Sequence, residues 1–144
     1  MNKHITEFIV NQTCASICCA DEAGNPYCFS CFYVLNSDDG LLYFKSSGSS
    51  KHAGILQQKQ NIAGTILPDK LNKLMIKGIQ FEGIMLKEDD PLTKAAPAHY
   101  YKKNPAALVI PGELWVVELL YIKMTDSTLG FGKKIIWNRS EVEV

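Results

Sequence analysis

Nowhere in the 144 residues do 18 uncharged apolar residues run together, so no segment suits a membrane-crossing helix. Net charge is missing too. Fifteen Lys and Arg balance fifteen Asp and Glu, which leaves no overall field to draw the chain to nucleic acid or anionic lipid. Neither is expected as a partner. The opening MNKHITEFIVNQT is too short in its apolar part, and too interrupted by Glu7 and Asn11, for a secretory signal. A cytoplasmic location is therefore expected. Repeats, linkers and low-complexity tails are also absent, and 47% hydrophobic content suffices for one packed domain over 1–144.

Paired metal ligands are scarce. The five cysteines, Cys14, Cys18, Cys19, Cys28 and Cys31, form an odd set confined to the start of the chain, which is a poor disulfide framework. CFSC has the spacing of a redox or zinc pair, but it lies inside PYCFSCFYVL, an aromatic and branched run that reads as a strand. Residues three apart on a strand point to opposite faces, so the two thiols diverge. No second C-x-x-C and no paired histidines follow, so no metal site is expected and the cysteines read as small apolar core residues. Acid–base sets are equally lacking. Asp38-Asp39 and Asp89-Asp90 fall in turn or cap positions, and His52 and His99 read as helix-surface residues.

What is present is periodicity. Ile5, Phe8 and Ile9 recur at helical spacing, giving a short amphipathic helix over 2–12. CASICCA, the run from Tyr27 to Leu35 and the run from Leu41 to Ser46 then alternate with the turns DEAGNP and NSDDG, a meander of hairpins. KHAGILQQKQ reads as a two-turn helix. NIAGTIL and LMIKGIQFEGIML resume strand character, with Gly64, Gly78 and Gly83 as expected bulges or bends. A short turn at Pro91 and a helix through Tyr100 and Tyr101 to about Lys103 follow. The long strand from Leu114 to Asp126, the loop STLGFGKK and a last strand IIWNR close the chain. Six or seven strands at short spacing predict a mainly β (α+β) fold, a closed or nearly closed antiparallel barrel with a few peripheral helices.

Between a strand and a helix start stands FKSSGSSKHAGIL, residues 44–56. Unpaired N–H groups at a helix start, the hydroxyls of Ser46, Ser47, Ser49 and Ser50 and the Lys51 ammonium can converge there on one anion, and a phosphate fits. Gly48 lets the backbone turn closely around such a ligand. The same composition also suits a serine-capped helix with no ligand.

The order LYFKSSGSSKHAGILQQKQNIAGTI followed by KGIQFEG resembles the flavin-binding core of the pyridoxamine 5′-phosphate oxidase-like split barrels. More narrowly, TDSTLGFGKKIIWNR with KGIQFEG before it is similar to the YhbP-like branch, whose members lack an assigned reaction. The resemblance covers nearly the whole chain. It implies a homodimer with two flavin mononucleotide (FMN) sites in clefts at the interface, and an FMN-dependent oxidoreductase acting on a small-molecule substrate.

By that resemblance, Lys51 matches the lysine that contacts the flavin phosphate, with Ser46, Ser47 and Ser49 around it. Ser50 departs from the pattern, standing where the oxidase proper has an arginine, so one charge-assisted contact is missing. Cys28, Phe29, Ser30 and Cys31 match the segment whose backbone lies against the flavin ring. Phe44 and Lys45 match the strand end beside it, and Lys73 aligns with a side chain near the ring, its ordinary reading being a solvated turn residue. Phe131, Lys133, Lys134 and Trp137 are offered to the partner's cleft, with packing as the ordinary reading of Phe131 and Trp137. Oxidation of pyridoxamine phosphate itself is not expected, because the chain is shorter and the oxidase's C-terminal substrate residues find no match. The alternative is a flavin- or heme-binding module that stores, senses or degrades its ligand, heme-handling proteins having this same barrel.

Overall fold

In the computed structural model, residues 1–130 and 132–141 are described. The Asn2 side chain accepts hydrogen bonds from the N–H groups of His4 and Ile5, opening helix α1 (Lys3–Asn11), whose Ile5, Phe8 and Ile9 are buried in the core. Strands β1 (Cys14–Ala20), β2 (Pro26–Asn36) and β3 (Leu41–Ser46) form the expected meander, and α2 (Lys51–Gln58) leads to β4 (Asn61–Ile66) and β5 (Lys77–Met85). Helix α3 (Ala96–Lys103), β6 (Glu113–Asp126) and β7 (Lys134–Asn138) complete the order. Pro97 lies in the first turn of α3, where a missing N–H costs nothing.

All strand pairs are antiparallel, in the order β3-β2-β1-β4-β5-β6, and β3 returns to β6 to close a six-stranded barrel. Strand β6 serves two neighbours on one edge. Its residues 113–118 pair with β3, and 121–125 pair with β7, so the barrel wall parts where β7 takes over from β3. The expected split barrel is the fold observed.

Alternation decides what faces inward. In β1, Ala15, Ile17 and Cys19 are buried while Cys14 and Ser16 are exposed. The barrel core joins these to Leu42, Phe44, Phe81, Val117 and Ile122. A second, smaller core forms where Tyr43 and Leu41 on the outer side of β3 meet Ala96 and Tyr100 of α3. Strand β3 is thus buried on both faces, which explains its continuous apolar run.

Two expectations need correction. Of the three strand glycines only Gly83 lies at a register shift, where a Cβ would stand 2.6 Å from the Glu118 carbonyl oxygen. Gly64 and Gly78 sit in regular ladders, Gly64 making room for the Phe81 ring. The strand expected over 74–86 starts at Lys77, because β4 ends opposite Ile79 and the residues before Lys77 form a turn closed by Met75 N–H on the Asn72 carbonyl. Leu74 is left 92% exposed. Among the described residues no helix is long and apolar enough to cross a membrane.

Candidate functional site

The serine loop joins the end of β3 to α2. Ser50 is the N-cap of α2: its Oγ accepts from Ala53 N–H at 3.3 Å and donates to the Ser47 carbonyl at 2.8 Å. Ser47 Oγ in turn accepts from Ser49 N–H at 3.2 Å and lies 2.8 Å from Ser49 Oγ. These bonds fix the loop from within. Among the described residues they leave the N–H groups of Lys51 and His52 without a protein acceptor at the start of the helix. Lys51 is exposed, with Nζ 4.7 Å from the centre of the Tyr27 ring.

Behind the loop lies an aromatic stack. The His52 ring packs face to face on Phe29, centroids 3.7 Å apart and planes within 10°. Its Nε2 is 2.7 Å from Ser46 Oγ, and the Ser46 carbonyl accepts from Trp115 Nε1 at 3.2 Å. Phe44 bridges the set, 5.6 Å from Phe29 and 6.3 Å from Trp115. Expected on the helix surface, His52 is instead half-buried, because its ring stacks on Phe29 of β2.

Burial holds the His52 imidazole below the ordinary histidine range. The fold therefore prefers the neutral ring, and as pH falls the unfolded chain takes up the proton first. The stability this represents is fully present above the unfolded value near 6.5 and is lost as pH drops from there through the depressed folded value. Melting temperatures taken between about pH 7.5 and about pH 5.5 should fall further for the wild type than for His52→Gln. Equal falls would contradict a ring held neutral.

The two sides of the loop differ in charge. On the Gly48 side a Cβ would stand 2.7 Å from Glu113 Oε1, and Glu88 and Glu113 line the shallow cavity of about 560 Å³ found there. A deeper cavity of about 670 Å³, sharing Gln57, Glu88 and Glu113, continues to Leu56, Leu114 and Trp115. Carboxylates repel an anion, so Glu88 and Glu113 disfavour one beside Ser47 and Ser49, whereas Lys51 offers a cation near the helix start, with the Asp21 carboxylate within its electrostatic reach.

The remaining candidate residues divide. On β2, Cys28 and Ser30 face out while Phe29 and Cys31 turn inward, the divergence expected of CFSC. Burial pushes the Cys31 thiol up to about 12. Not all five cysteines are core residues, however, since Cys14 and Cys28 are exposed on the outer face of the barrel. Phe44 is fully buried, and Lys45 points away from the loop, donating to the Ala107 carbonyl at 2.8 Å beside the Tyr101 ring. Lys73 is exposed in the connection after β4, which Thr13 and Gln12 hold through Asp69 beside the start of β1. Lys51 reaches Tyr27, opposite Cys19 near the other end of that strand. Lys133 and Lys134 are exposed near β7, along the half of β6 remote from Glu113. Trp137 is 8% exposed in the barrel core, its Nε1 without an acceptor among the described residues. Phe131 lies outside the described residues.

One chain therefore unites Ser46 to Lys51 with His52, Tyr27, Phe29 and Trp115, and keeps Lys45, Lys73, Lys133 and Trp137 apart from them. Tyr27, Trp115 and Glu113 gave no signal as site residues. Only the pairing of Glu113 with Ser46 and of Trp115 with Phe44 brings the last two to the loop.

The chain is 35% identical over 135 residues to a UPF0306 protein of Photorhabdus laumondii, covering 94% of each chain. A UPF0306 protein of Yersinia enterocolitica is 35% identical over 137 residues, 95% of this chain and 92% of that one. The chain belongs to the UPF0306 family. No family profile matches it. In three dimensions this UPF0306 chain superposes on a heme binding protein from Mycobacterium smegmatis with a TM-score of 0.74 at 14% identity, over 91% of this chain and 55% of that one. An FAD-binding protein from Mesorhizobium loti gives 0.67 at 14%, over 88% and 95%. A pyridoxinephosphate oxidase family protein from Clostridium acetobutylicum, related to a general stress protein, gives 0.66 at 11%, over 96% and 94%. At these identities the likeness is one of fold, the split barrel that this UPF0306 chain has in common with all three.

Proposed function

We propose that this UPF0306 chain is a homodimeric flavoprotein that binds FMN at the 46–51 loop and acts as an FMN-dependent oxidoreductase on a small-molecule substrate. The loop carries this reading. It presents two open backbone N–H groups and one ammonium at the start of α2, donors suited to a phosphate, although the Asp21 carboxylate acts on Lys51 and Ser47 and Ser49 border the cavity lined by Glu88 and Glu113. Bound flavin supplies the electron-transfer chemistry. The chain's own residues bind and orient. Lys51, now beside the Tyr27 ring, would hold the phosphate, the Phe29–His52 stack would offer a flat apolar wall, and backbone groups of residues 28–31 would serve the ring's polar edge. Ser50, committed to capping α2, gives no charge, so the phosphate rests on Lys51 alone among side-chain cations.

The dimer is part of the same proposal. Lys73 and Lys133 lie away from the loop of their own chain, so in this reading they serve a flavin at a second chain's site, while Trp137 packs in the barrel core. Leu71, Leu74, Met75 and Ile76 beside Lys73 are exposed and offer apolar surface for that contact.

Heme is the second reading, because one fold relative is a heme binding protein. His52 is the histidine at the loop, and to ligate iron it would have to leave both Ser46 and Phe29. That favours the phosphate. Lys51→Ala should weaken FMN binding by about 1.5–3 kcal/mol, the range for a hydrogen bond to a charged group. In a fluorescence titration this is a loss of roughly 10- to 150-fold. Riboflavin, which has no phosphate, should bind wild type and variant alike. Unchanged FMN affinity in the variant would contradict the assignment.

A further inference from the structure

Strands β1 and β2 carry two cysteines whose relation is set by the turn between them. Asp21 N–H donates to the Asn25 carbonyl at 3.0 Å, while Asn25 N–H turns to Asp21 Oδ1 at 2.9 Å; the first bond puts Asp21 and Asn25 at a hydrogen-bonded position of the ladder. In an antiparallel ladder such pairs alternate with non-hydrogen-bonded ones, so Ala20–Pro26 is non-hydrogen-bonded, Cys19–Tyr27 hydrogen-bonded and Cys18–Cys28 non-hydrogen-bonded. Pro26 agrees with this phase, since it occupies a position that asks for no N–H. Cys18 and Cys28 are thus directly opposite each other, in the class of pair whose Cα atoms are closest, about 4.5 Å apart. That separation lies within the span a disulfide accepts, about 4.4–6.8 Å.

Both side chains point out of the barrel. They line a cavity of about 660 Å³ on its outer face with Ser16, Ala63, Tyr121 and Lys123. Cys28 is exposed and Cys18 is partly covered. The other thiols are placed differently: Cys19 faces inward and donates to the Tyr27 carbonyl, Cys31 is turned to the opposite face of β2, and Cys14 lies opposite Phe32.

We propose that Cys18 and Cys28 form a reversible cross-strand disulfide, a modification site that stands whether or not flavin binds. The co-reactant is a low-molecular-weight disulfide. The Cys28 thiolate, on the exposed side, attacks one of its sulfurs and releases one small thiolate, giving a mixed disulfide at Cys28. The Cys18 thiolate then attacks the Cys28 sulfur and releases the second small thiolate. The protons of Cys18 and Cys28 pass to the two thiolates released. One external disulfide is thereby reduced to two thiols, and the protein dithiol is oxidised by the same two electrons. Cys18 takes the second step because it lies directly opposite Cys28: its thiol is held above the ordinary range, first by hydrogen bonding to Cys28 and then by burial, which disfavours it as the first attacker. Because Cys28 opens the segment assigned to the flavin ring, the bond would also tie that strand to β1.

The test is oxidation of the reduced full-length chain with glutathione disulfide, followed by thiol counting under denaturing conditions. Titratable thiols should fall from five to three, with the chain still monomeric on a denaturing, non-reducing gel. Cleavage after Glu22 separates the two cysteines, so peptide mapping should find them joined. Cys28→Ser should keep its four thiols, whereas Cys31→Ser should fall from four to two. Persistence of all five thiols, a lasting mixed disulfide at Cys28, or a bond between any other two cysteines would overturn the proposal.

Discussion

Replacing Phe44 with alanine should lower the stability of the fold by about 3–5 kcal/mol, the cost of truncating a large buried aromatic side chain. Phe44 is fully buried in the barrel core and packs against Phe29 and Trp115. Its strand is held on both edges, paired with Tyr33 of β2 and with Trp115 of β6, so the backbone cannot collapse to fill the space. The void left would adjoin the wall behind the serine loop. Denaturant unfolding should therefore show a large drop in midpoint at constant slope. Phe44→Leu, which keeps most of the volume, should cost less than about 1.5 kcal/mol. It should also leave FMN affinity intact, since the ring reaches the site only through packing. An alanine variant that loses under about 1 kcal/mol would contradict the burial that places this residue at the centre of the core.

Arg139→Ala should cost about 1.5–3 kcal/mol. Arg139 is the only arginine in the chain, and its guanidinium joins parts of the barrel that are far apart in sequence. Nε donates to the Leu119 carbonyl at 2.7 Å, while Nη2 donates to the carbonyls of Asp39 and Gly40 at 2.8 and 2.7 Å. One side chain thereby ties the β2–β3 turn to β6 at the point where the wall parts. The ring of Trp137 lies beside it, 5.8 Å away. Lysine cannot reproduce the planar fork that serves three carbonyls at once, so Arg139→Lys should recover less than half of the loss. Full recovery by lysine would show that charge alone matters there. The measurement is unfolding free energy, and the variant should also speed hydrogen exchange at Leu119 N–H, which donates to the Gly40 carbonyl.

Much of the barrel can be read from the chain because each strand is half in and half out. CASICCA alternates, and PYCFSCFYVL alternates in its first half, so both the strands and the divergence of CFSC follow from a period of two. The serine loop was legible as a helix cap, and the cap is there in Ser50. Pairing between distant strands was not. Nothing local announces that β3 closes the barrel on β6, so Trp115 and Glu113 could not be assigned to the loop beforehand. His52 was misplaced for the same reason, since its burial depends on Phe29, 23 positions earlier in the chain. The strand expected over 74–76 failed because apolar composition says nothing about a partner edge, and β4 ends before it can supply one. The Cys18–Cys28 pair needed the phase of one turn hydrogen bond, which composition does not encode.

In the function proposed above, the loop from Ser46 to Lys51 binds the phosphate of a flavin. A fluorescence and absorbance titration of the apo-protein with FMN, run beside riboflavin, tests it most directly. Tight FMN binding is expected, with riboflavin weaker by at least about tenfold, the difference being the phosphate contact alone. Equal affinities, or no binding of either flavin below about 100 μM, would contradict it.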